Sequence, residues 1–490
     1  MISSLTNDAS IFKFEILIEV AKEAYQDTLK EESVQNFSKQ LVSLGGERFR
    51  CCVYKEREVL RQRARLAMGK MANDAEEYKP KQIVQVIESA CDGCTIQKIQ
   101  VTDNCRKCMK KSCMAACNFG AISMGTTRSQ IDYSKCKACG ACARACPYNA
   151  IVVTERPCYT ACPVQAISWN EQNICNIDEE KCINCGACLK ACPFGAISDM
   201  SWIVPVIRLL NDKEEVYAIV APSIQGQFEE NPLGKIIKAI EALGFTKCIE
   251  VANGADAVAY YEAQELKERK EKGIPMTTSC CPGFVNMLKI HFPDLYVENK
   301  STTVTPMMAT ARKLKQDHPS CKVVFIGPCV AKKQEAMQEV SAVDYVLTYE
   351  ELLAMFLAKG IDIAQYEEDK DLNASNYGRN FAASGGVAAA VVEVLKEEGY
   401  NQPLTTVLAN GGAECKQQLN LIKFKRFKAD ILEGMACPGG CICGPAVISE
   451  SAKAKGRMVK ENMPNKDRTI SSALKDTDYS DVDMDVRHKI

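Results

Sequence analysis

Three short runs in the second half of the chain place cysteines among small residues. They read Thr278-Ser-Cys-Cys-Pro-Gly-Phe284, Gly327-Pro-Cys-Val-Ala-Lys-Lys-Gln-Glu335 and Glu433-Gly-Met-Ala-Cys-Pro-Gly-Gly-Cys441. Thiolates are ligands for soft transition metals, and neighbouring Pro, Gly and Ala let the backbone approach an inorganic group closely. Each run also has a side chain that could hydrogen-bond to such a group. These side chains are Ser279, Lys332, Glu335 and Met435. Together the runs predict a buried metal site.

A second cysteine pattern repeats four times between residues 91 and 198. Each unit ends in a cysteine that is followed four and five residues later by Ala and Ile; these are Cys117, Cys146, Cys162 and Cys192. Units two and four carry the full C-x2-C-x2-C-x3-C-P pattern, at Cys136, Cys139, Cys142 and Cys146 and at Cys182, Cys185, Cys188 and Cys192. The pattern is similar to that of bacterial ferredoxins, in which three cysteines ligate one [4Fe-4S] cluster and the fourth ligates its neighbour. The alternative, a zinc ribbon, uses paired C-x2-C knuckles instead.

The spacing between units predicts how they pair. Unit one has a longer C-x4-C gap and contains Cys105, Cys108, Cys113 and Cys117, whereas unit three keeps only Cys158 and Cys162. Cys136 follows Cys117 by 19 residues and Cys182 follows Cys162 by 20. These lengths suffice for the strand and helix of a ferredoxin fold. Only 12 residues lead from Cys146 to Cys158, so unit one should pair with unit two, and unit three with unit four.

This pairing predicts three or four accessory [4Fe-4S] clusters. The first three have the following ligands: Cys105, Cys108, Cys113 and Cys146; Cys136, Cys139, Cys142 and Cys117; and Cys182, Cys185, Cys188 and Cys162. Cys158 and Cys192 then need two more ligands, which Cys91 and Cys94 would supply to a fourth cluster. A rival arrangement pairs units two and four directly and leaves the remaining cysteines for one or two further clusters.

The three cysteine runs of the second half resemble the motifs of the [FeFe]-hydrogenases, over roughly residues 200 to 450. In that family four cysteines hold a [4Fe-4S] cubane, and one of them bridges to a two-iron subcluster that carries CO, cyanide and a dithiolate. The two parts form the H-cluster. The resemblance implies that the ligands here are Cys281, Cys329, Cys437 and Cys441, with Cys441 as the bridge.

The resemblance also implies roles for other residues around this cofactor. Ser223 and Lys332 match positions that hydrogen-bond the iron-bound cyanides, and Met435 matches a residue that packs by the two-iron unit. Cys280 matches the thiol that passes protons to the open iron. From the sequence alone, Cys280 is indistinguishable from a packing cysteine.

A proton relay can be sought on the helix predicted over Val258 to Glu271. Glu262, Glu265 and Arg269 lie there at i, i+3 and i+7, on one face. By spacing alone the second and third of these residues form a surface salt bridge. All three, together with Ser301, match the carboxylate and hydroxyl relay of the family. The resemblance therefore implies a path through Arg269, Glu265, Ser301, Glu262, a water molecule and Cys280.

Several residues depart from the common pattern of the family. Gly327 stands where the common form has Met, Phe284 where it has Trp, and Met307 where it has Gln. The segment Cys443-Gly-Pro445 replaces a Gly-rich tail that ends in Gln-Pro. These changes lie beside the expected cofactor and suggest a divergent, less-studied subgroup.

Composition narrows the class of protein. The 490 residues include 61 Lys or Arg and 62 Asp or Glu, so no net charge points to nucleic acid or to an acidic membrane. Twenty-eight cysteines, in a chain where neither a signal peptide nor a long apolar run is evident, indicate thiolate ligands in a cytoplasmic protein rather than disulfides. Three histidines leave little material for histidine-based zinc catalysis.

The elements that carry these motifs predict four regions. Residues 1–85 have apolar residues at helical spacing and form a helical cap. Its basic stretch, residues 56–65, is interpreted as a solvated helix face, with docking of an acidic electron carrier as the lesser alternative. Residues 86–200 are α+β ferredoxin-like modules and residues 451–490 a polar tail, mobile or lying over the surface.

Residues 201–450 form the remaining, catalytic region. Short apolar runs such as Val216–Val220 and Val323–Ile326 alternate with helical stretches, which predicts an α/β domain of largely parallel sheet around a buried metal cluster. Because ligands collect at the carboxyl ends of parallel strands, Ser223 and Cys329, which both follow strands, should share a pocket.

The resulting functional hypothesis is an iron hydrogenase that interconverts H2 with protons and electrons. Electrons would pass through the [4Fe-4S] clusters to or from ferredoxin or a similar carrier, and maturation proteins would assemble the two-iron unit. The alternative is a non-catalytic hydrogenase-like iron–sulfur protein, either an H2 sensor or a cluster-assembly factor. The presence of Cys280, Lys332, Glu335, Met435 and both relay glutamates favours catalysis over cluster assembly.

Overall fold

The structure of the chain, a computed structural model, describes residues 8–43, 52–74, 82–91, 94, 97–465 and 467–488. The N-terminal helices are α1 (Asp8–Tyr25), α2 (Ser33–Leu41) and α3 (Val53–Ala67). α1 buries Phe12, Ile16 and Val20, which are spaced four residues apart and so share one face. This face packs into the same apolar core as strand residues such as Val216 and Val324. The N-terminal helices are therefore part of the core of the α/β region.

Two small α+β modules follow, and a short strand, β1 (Val84–Val86), precedes both. The first module comprises β2 (Ile99–Val101), α4 (Ser112–Ala115), β3 (Ile122–Met124), β4 (Ser129–Ile131), α5 (Ala141–Ala145) and β5 (Ile151–Val153). The second comprises α6 (Pro157–Ala161), β6 (Ile167–Trp169), β7 (Cys175–Ile177), α7 (Ala187–Ala191) and β8 (Ile197–Asp199).

Antiparallel strand pairs define these modules. β2 pairs with β5 and β3 with β4 in the first module, so units one and two fold together. β6 pairs with β7, and β1 pairs with β8. Units three and four therefore fold together. β1 belongs to the same module through its pairing with β8, although it precedes the first module in the sequence. The iron–sulfur region thus begins slightly before residue 86, because β1 is one of its strands.

The region after residue 200 contains two parallel sheets covered by helices. Its elements are α8 (Ile203–Asn211), β9 (Val216–Val220), α9 (Leu233–Ala242), β10 (Lys247–Glu250), α10 (Val251–Glu271), β11 (Met276–Thr277), α11 (Pro282–His291), α12 (Pro293–Glu298), α13 (Pro306–Asp317), β12 (Lys322–Ile326), α14 (Ala331–Ala336), β13 (Tyr345–Leu347), α15 (Tyr349–Lys359), α16 (Asn376–Asn380), α17 (Gly386–Glu397), β14 (Thr406–Asn410), α18 (Gly412–Lys423) and β15 (Ile431–Met435). The strand orders are β10-β9-β12-β13 and β11-β15-β14, and every pairing is parallel.

The predicted α/β fold class is confirmed. All five residues of β9 are buried, as expected for a parallel strand with helices on both faces. None of the helices in the described ranges is long and apolar enough to cross a bilayer.

A buried ion-pair network joins three regions of the chain. Lys333 on α14 lies 2.8 Å from Asp199, at the end of β8, and 3.2 Å from Glu351 on α15. Lys13 on α1 reaches the same aspartate at 2.8 Å. Burial alone would raise the pKa of Asp199, but the two lysines hold it well below its ordinary value. Because removing one member would leave an uncompensated buried charge, the network holds the N-terminal helix, the second module and the α/β region together.

The polar C-terminal segment is folded against the α/β region. It contains α19 (Ser451–Asn462) and α20 (Ile470–Asp476), and beyond them the side chains of Tyr479, Val482 and Met484 are buried. Arg312 on α13 donates hydrogen bonds to the carbonyls of residues 483, 485 and 488. The few apolar residues of the segment, too sparse for an independent core, are thus buried against a preformed surface.

Candidate metal centre and proton relay

The carboxyl ends of strands from both sheets face a single cavity. Ser223 follows β9 and Cys329 follows β12, while Cys280 and Cys281 follow β11 and Cys437 follows β15. All five residues border this cavity. Parallel strands of one sheet present their carboxyl ends at the same edge, and the two sheets here direct those edges toward each other.

The cavity has a volume of about 80 Å³. Its wall includes the thiols of the four implied ligands, Cys281, Cys329, Cys437 and Cys441. Cys280, Ser223 and Lys332 contribute the other polar groups, and the remaining wall is apolar side chains and glycine backbone. The structure therefore brings the implied ligands together around one apolar space.

Burial controls the protonation of these thiols. It raises the pKa of Cys329 to about 12, and the neighbouring Cys281 adds to the rise. The pKa values of Cys437 and Cys441 are also raised, first by burial and then by neighbouring thiols. A thiol in such surroundings is deprotonated when a metal ion supplies the positive charge. Four thiols of this kind around one cavity fit a [4Fe-4S] cubane, which takes four thiolate ligands.

A buried ion pair lies at one side of the cavity. Lys332 Nζ is 2.7 Å from Glu335 Oε2, and Glu335 Oε1 accepts a hydrogen bond of 2.6 Å from Thr305 Oγ1. Burial lowers the pKa of Lys332, but the Glu335 carboxylate more than compensates and keeps the ammonium charged. Only Lys332 of the two borders the cavity. Glu335, predicted as a cofactor-binding residue, instead positions Lys332.

Two further predicted residues border the cavity from the strand ends. The hydroxyl of Ser223 is 2.6 Å from that of Tyr349, which holds it in place in a fully buried position. Met435 ends β15 and is buried at the cavity wall. The role of Tyr349 was missed in the sequence because it follows a strand that does not itself reach the cavity.

A second polar feature, a hydrogen-bonded line, runs along α10. Arg269 Nε donates to Glu265 Oε1 at 2.8 Å, and Ser301 Oγ donates to Glu265 Oε2 at 2.9 Å. The backbone N–H of Thr302 donates to the same carboxylate at 2.9 Å. The arginine and glutamate side chains are only 14% and 15% exposed, so they belong to a half-buried network rather than to a surface salt bridge.

Glu262 lies deeper in the same line and is fully buried. Its Oε1 accepts hydrogen bonds of 3.1 Å from both the backbone N–H and the hydroxyl of Ser279, and its Oε2 has no partner among the described residues. Burial raises the pKa of Glu262 to about 7, against the opposing effect of Ser279 and Ser301. Burial, and then the nearby Glu262, raise the pKa of the Cys280 thiol. Glu262 is thus close to both Ser301 and Cys280.

Lys300 is a buried cation that sequence reasoning missed. Its Nζ donates to the carbonyl of Ser301 and lies 5.7 Å from the ring centroid of Tyr296. Burial lowers the pKa of Lys300 to about 8, and the nearby Glu265 and Glu262 oppose this shift. No spacing in the sequence indicated this position, because its burial arises partly where residues 302–304 pair with residues 484–486 of the C-terminal segment.

The cysteines of the first module form two groups. Cys105, Cys108, Cys113 and Cys146 line a single small cavity. Burial and then the Cys136 and Cys117 thiols raise the pKa of Cys142, so these three are neighbours. Cys139, the fourth predicted ligand of this cluster, is exposed. Its assignment to the cluster remains a prediction from the motif. The groups follow the pairing of units one and two.

The cysteines of the second module also form two groups. Burial and then the thiols of Cys185, Cys182 and Cys162 raise the pKa of Cys188. Cys91 and Cys94 both lie close enough to Cys158 and Cys192 for those thiols to raise their pKa, beyond the larger effect of burial. Cys185 in turn interacts with Cys281, so the third group adjoins the cavity.

Cys175 lies outside the four cysteine motifs of the sequence. In the structure it is next to the group formed by Cys91, Cys94, Cys158 and Cys192. Its backbone N–H donates to Cys91 Sγ at 3.3 Å, and its thiol hydrogen-bonds to that of Cys158. It is the first residue of β7, which the hairpin with β6 turns toward this group. Strand pairing, and not motif spacing, thus adds a fifth thiol here.

Two departures from the common pattern, Gly327 and Phe284, have local structural explanations. A Cβ atom at Gly327 would lie only 2.6 Å from the ring of Phe325, and Phe325 borders the cavity. The phenylalanine therefore occupies space that a side chain at position 327 would need. Likewise Phe284 packs flat on Gly434, where a Cβ would lie 2.4 Å from its ring.

Comparison with known proteins bears on the identity of these regions. Residues 214–445 match the family described as iron only hydrogenase large subunit, C-terminal domain. Residues 129–152 and 176–198 match the 4Fe-4S binding domain. The matched segments contain the four implied ligands of the cavity and the full cysteine runs of units two and four.

Several curated proteins resemble the chain. It is 29% identical over 372 residues to the periplasmic [Fe] hydrogenase large subunit of Nitratidesulfovibrio vulgaris, covering 64% of this chain and 85% of the relative. It is 31% identical over 369 residues to iron hydrogenase 1 of Clostridium pasteurianum and covers 64% of each, less than two thirds of that relative. The cytosolic Fe-S cluster assembly factor NAR1 of Kluyveromyces lactis is 26% identical over 264 residues, 39% of this chain and 56% of that protein.

Among solved structures, a variant of the [FeFe]-hydrogenase HydA1 from Chlamydomonas reinhardtii aligns with a TM-score of 0.46 at 21% identity, over 54% of this chain and 90% of the other. The sequence matches, the cysteine motifs and the thiol-lined cavity agree with one another. They identify residues 214–445 as a divergent member of the [FeFe]-hydrogenase family, preceded by 4Fe-4S binding domains, and they support [4Fe-4S] clusters and an H-cluster as the cofactors.

Proposed function

We propose that the protein is an iron hydrogenase that interconverts H2 with two protons and two electrons. The observation that carries this proposal is the position of Cys280. Its thiol borders the cavity beside the four implied ligands, and it is also the neighbour of Glu262 at the inner end of the hydrogen-bonded line. A structural iron–sulfur site has no need of such a relay.

Separate groups of residues would bind the cofactor, hold its ligands and move protons. Cys281, Cys329, Cys437 and Cys441 would hold the H-cluster, which when bound supplies the redox chemistry of H2. Lys332, held by Glu335, and Ser223, held by Tyr349, would offer hydrogen-bond donors to its diatomic ligands. Protons would move between the solvent and Cys280 through Arg269, Glu265, Ser301 and Glu262, with one water molecule before the thiol.

Electrons would leave the cavity through the group of cysteines next to Cys281. Cys185 interacts with Cys281, and Cys188 of the same group interacts with Cys158 of the fourth. The third and fourth clusters would therefore lie in line with the cavity. This separation of proton and electron paths suits a reaction that releases both from one molecule.

The experiment that tests this function is infrared spectroscopy of the matured protein, followed by an H2 assay. We expect bands from iron-bound CO and cyanide and measurable H2 uptake or evolution with a small redox dye. The matched control is protein produced without the maturation proteins, which should have accessory clusters and neither bands nor activity. Absence of the bands after maturation would defeat the proposal.

A second candidate is a role in iron–sulfur cluster assembly, which the similarity to NAR1 favours. That similarity covers only 39% of this chain, whereas the similarity to the two hydrogenases covers 64%. Bands of CO and cyanide without H2 turnover would instead favour an H2 sensor, and neither bands nor turnover would favour the assembly role.

A separate prediction concerns the fourth cluster on Cys91, Cys94, Cys158 and Cys192. Replacing Cys91 and Cys94 together by serine should lower the iron content by about four per chain, one [4Fe-4S] cluster. Both are replaced because Cys175 lies close enough to substitute for one lost ligand. Iron analysis is the measurement and Cys175→Ser the matched control, which should keep its iron. A loss well short of four irons in the double variant would refute the assignment.

A further inference from the structure

The loop between Cys105 and Cys113 is unusual among the cysteine motifs of this chain. It contains Arg106, Lys107, Lys110 and Lys111, all exposed. Between them lies Met109, whose side chain is 97% exposed. We call residues 106–111 the basic loop. It surrounds Cys108, one of the four thiols of the first group.

The basic loop differs from the corresponding segments of the other full motifs in length and in conformation. It is two residues longer, since Cys108 and Cys113 are separated by four residues where units two and four have two. Lys111 precedes α4 with a φ of 47°, at the position where Gly140 precedes α5 and Gly186 precedes α7. Lysine is strained in this left-handed conformation and glycine is not. Unit one thus has a charged side chain at the position where units two and four have glycine.

Charge is concentrated around this loop. The first module, residues 97–155, has nine Lys or Arg and only three Asp or Glu, although the whole chain is nearly balanced. Thiolate-bound clusters would offset part of this charge. Asp103 and Asp132 are already paired with Arg128 and Lys135. Within the described ranges no acidic side chain pairs with Arg106, Lys110 or Lys111.

Apolar surface accompanies the charge. Tyr148 borders the same cavity as Cys105 and Cys108 and is 52% exposed, and Met109 is almost fully exposed. A small apolar centre surrounded by charges of one sign is the composition of a transient docking site for an oppositely charged protein.

The other basic segment of the chain, on α3, does not provide such a surface. Arg57 and Arg63 donate to backbone carbonyls of Val42 and Gly195, and Arg61 pairs with Glu58 and Asp74. These cations hold the N-terminal region together. The prediction that this stretch is a solvated face is therefore wrong, and the basic loop is the better candidate for docking.

We propose that the basic loop is the docking surface for an acidic one-electron carrier protein, which exchanges electrons with the cluster on Cys105, Cys108, Cys113 and Cys146. The proposal rests on the proposed hydrogenase function. Oxidation of one H2 would release two protons and two electrons, and two carrier molecules would each accept one electron in successive encounters at this loop. Charge attraction would raise the encounter rate and fall off as salt shortens the Debye length to about 10 Å near 0.1 M.

Two substitutions, combined in one double variant, test the proposal without disturbing the cluster ligands. Lys110→Glu reverses one charge, and Lys111→Gly removes another while relieving the strained backbone. The latter should therefore be at least as stable as the unchanged protein. The probe is an acidic two-cluster bacterial ferredoxin, reduced chemically and mixed with the oxidised protein in a stopped-flow instrument. We expect the bimolecular electron-transfer rate constant at low salt to fall about tenfold in the double variant, and this deficit to disappear at high salt.

The matched control is Lys455→Glu with Lys460→Glu, two exposed lysines on α19. It should leave the rate constant within about twofold of the unchanged protein. Equal rate constants for the unchanged protein and the basic-loop variant, or an equal deficit in the α19 control, would overturn the proposal. Because the measurement needs neither H2 nor the two-iron unit, it remains valid if the hydrogenase function fails, and the dye-linked H2 assay reports on that function separately.

Discussion

Replacing Cys280 by alanine should reduce H2 turnover by at least about 10²–10⁴-fold, the usual contribution of a positioned proton donor. The thiol is the only titratable group bordering the cavity, among the described residues, that is neither an implied metal ligand nor the lysine held by Glu335. Without it a proton at Glu262 would have to cross an apolar gap. Turnover with a small redox dye is the measurement, because it bypasses docking of a protein carrier.

The variant must be shown to keep its cofactors. Iron content and the infrared bands of CO and cyanide should be retained, since Cys281 and not Cys280 is the implied ligand. Cys248→Ala is a suitable control, because Cys248 is a buried cysteine that lies on β10, outside the cavity. Turnover of Cys280→Ala close to that of the control would contradict the relay.

Replacing Glu262 by glutamine should have the second-largest effect, again on the order of 10²–10⁴-fold in turnover. An amide oxygen can still accept the hydrogen bonds from Ser279, so the geometry is kept while the exchangeable proton is lost. A pKa of about 7 makes the carboxyl able to take up and release protons near neutral pH. We therefore expect the residual activity of the variant to lose the inflection near pH 7.

Stability provides the control for Glu262→Gln. The pKa of this carboxyl is raised from an unfolded value of about 4.3, so the folded state binds the proton more tightly. Its contribution to stability therefore falls as pH rises through the interval between about 4.3 and 7, by on the order of 3 kcal/mol. The glutamine variant should lack this loss, and urea unfolding at pH 8 should find it no less stable. Reduced stability at pH 8 would mean that lost activity reflects misfolding.

The C-terminal segment covers the outer part of the proton relay, which matters for both experiments. Residues 484–486 pair with residues 302–304, and Thr302 is one of the groups that hydrogen-bond to Glu265. Burial of Lys300 near both glutamates depends on the same contact. The outer part of the relay therefore involves chain segments about 180 residues apart in sequence.

The sequence by itself determined the ligand chemistry and the fold class. The four-cysteine motifs encode their own geometry, because a loop of fixed length followed by a short helix places each thiol relative to the next. Parallel strands were recognisable from short apolar runs between helices, and the position of Ser223 and Cys329 after such runs already implied a shared pocket. The i, i+3 and i+7 spacing on α10 likewise aligned Glu262, Glu265 and Arg269.

The tertiary structure alone decided which distant groups meet. β1 pairs with β8 and so carries Cys91 beside Cys192, and the β6–β7 hairpin adds Cys175, an association that no local spacing encodes. The polar C-terminal segment was predicted as a tail, mobile or lying over the surface, because its composition cannot sustain a core. It lies over the surface because α13 and residues 302–304 offer contacts to it. Arg63 of α3 was predicted to be solvated because its partner, the carbonyl of Gly195, lies more than a hundred residues away. Local spacing determines which atoms can bind a metal, whereas burial and charge depend on contacts made only when the whole chain has folded.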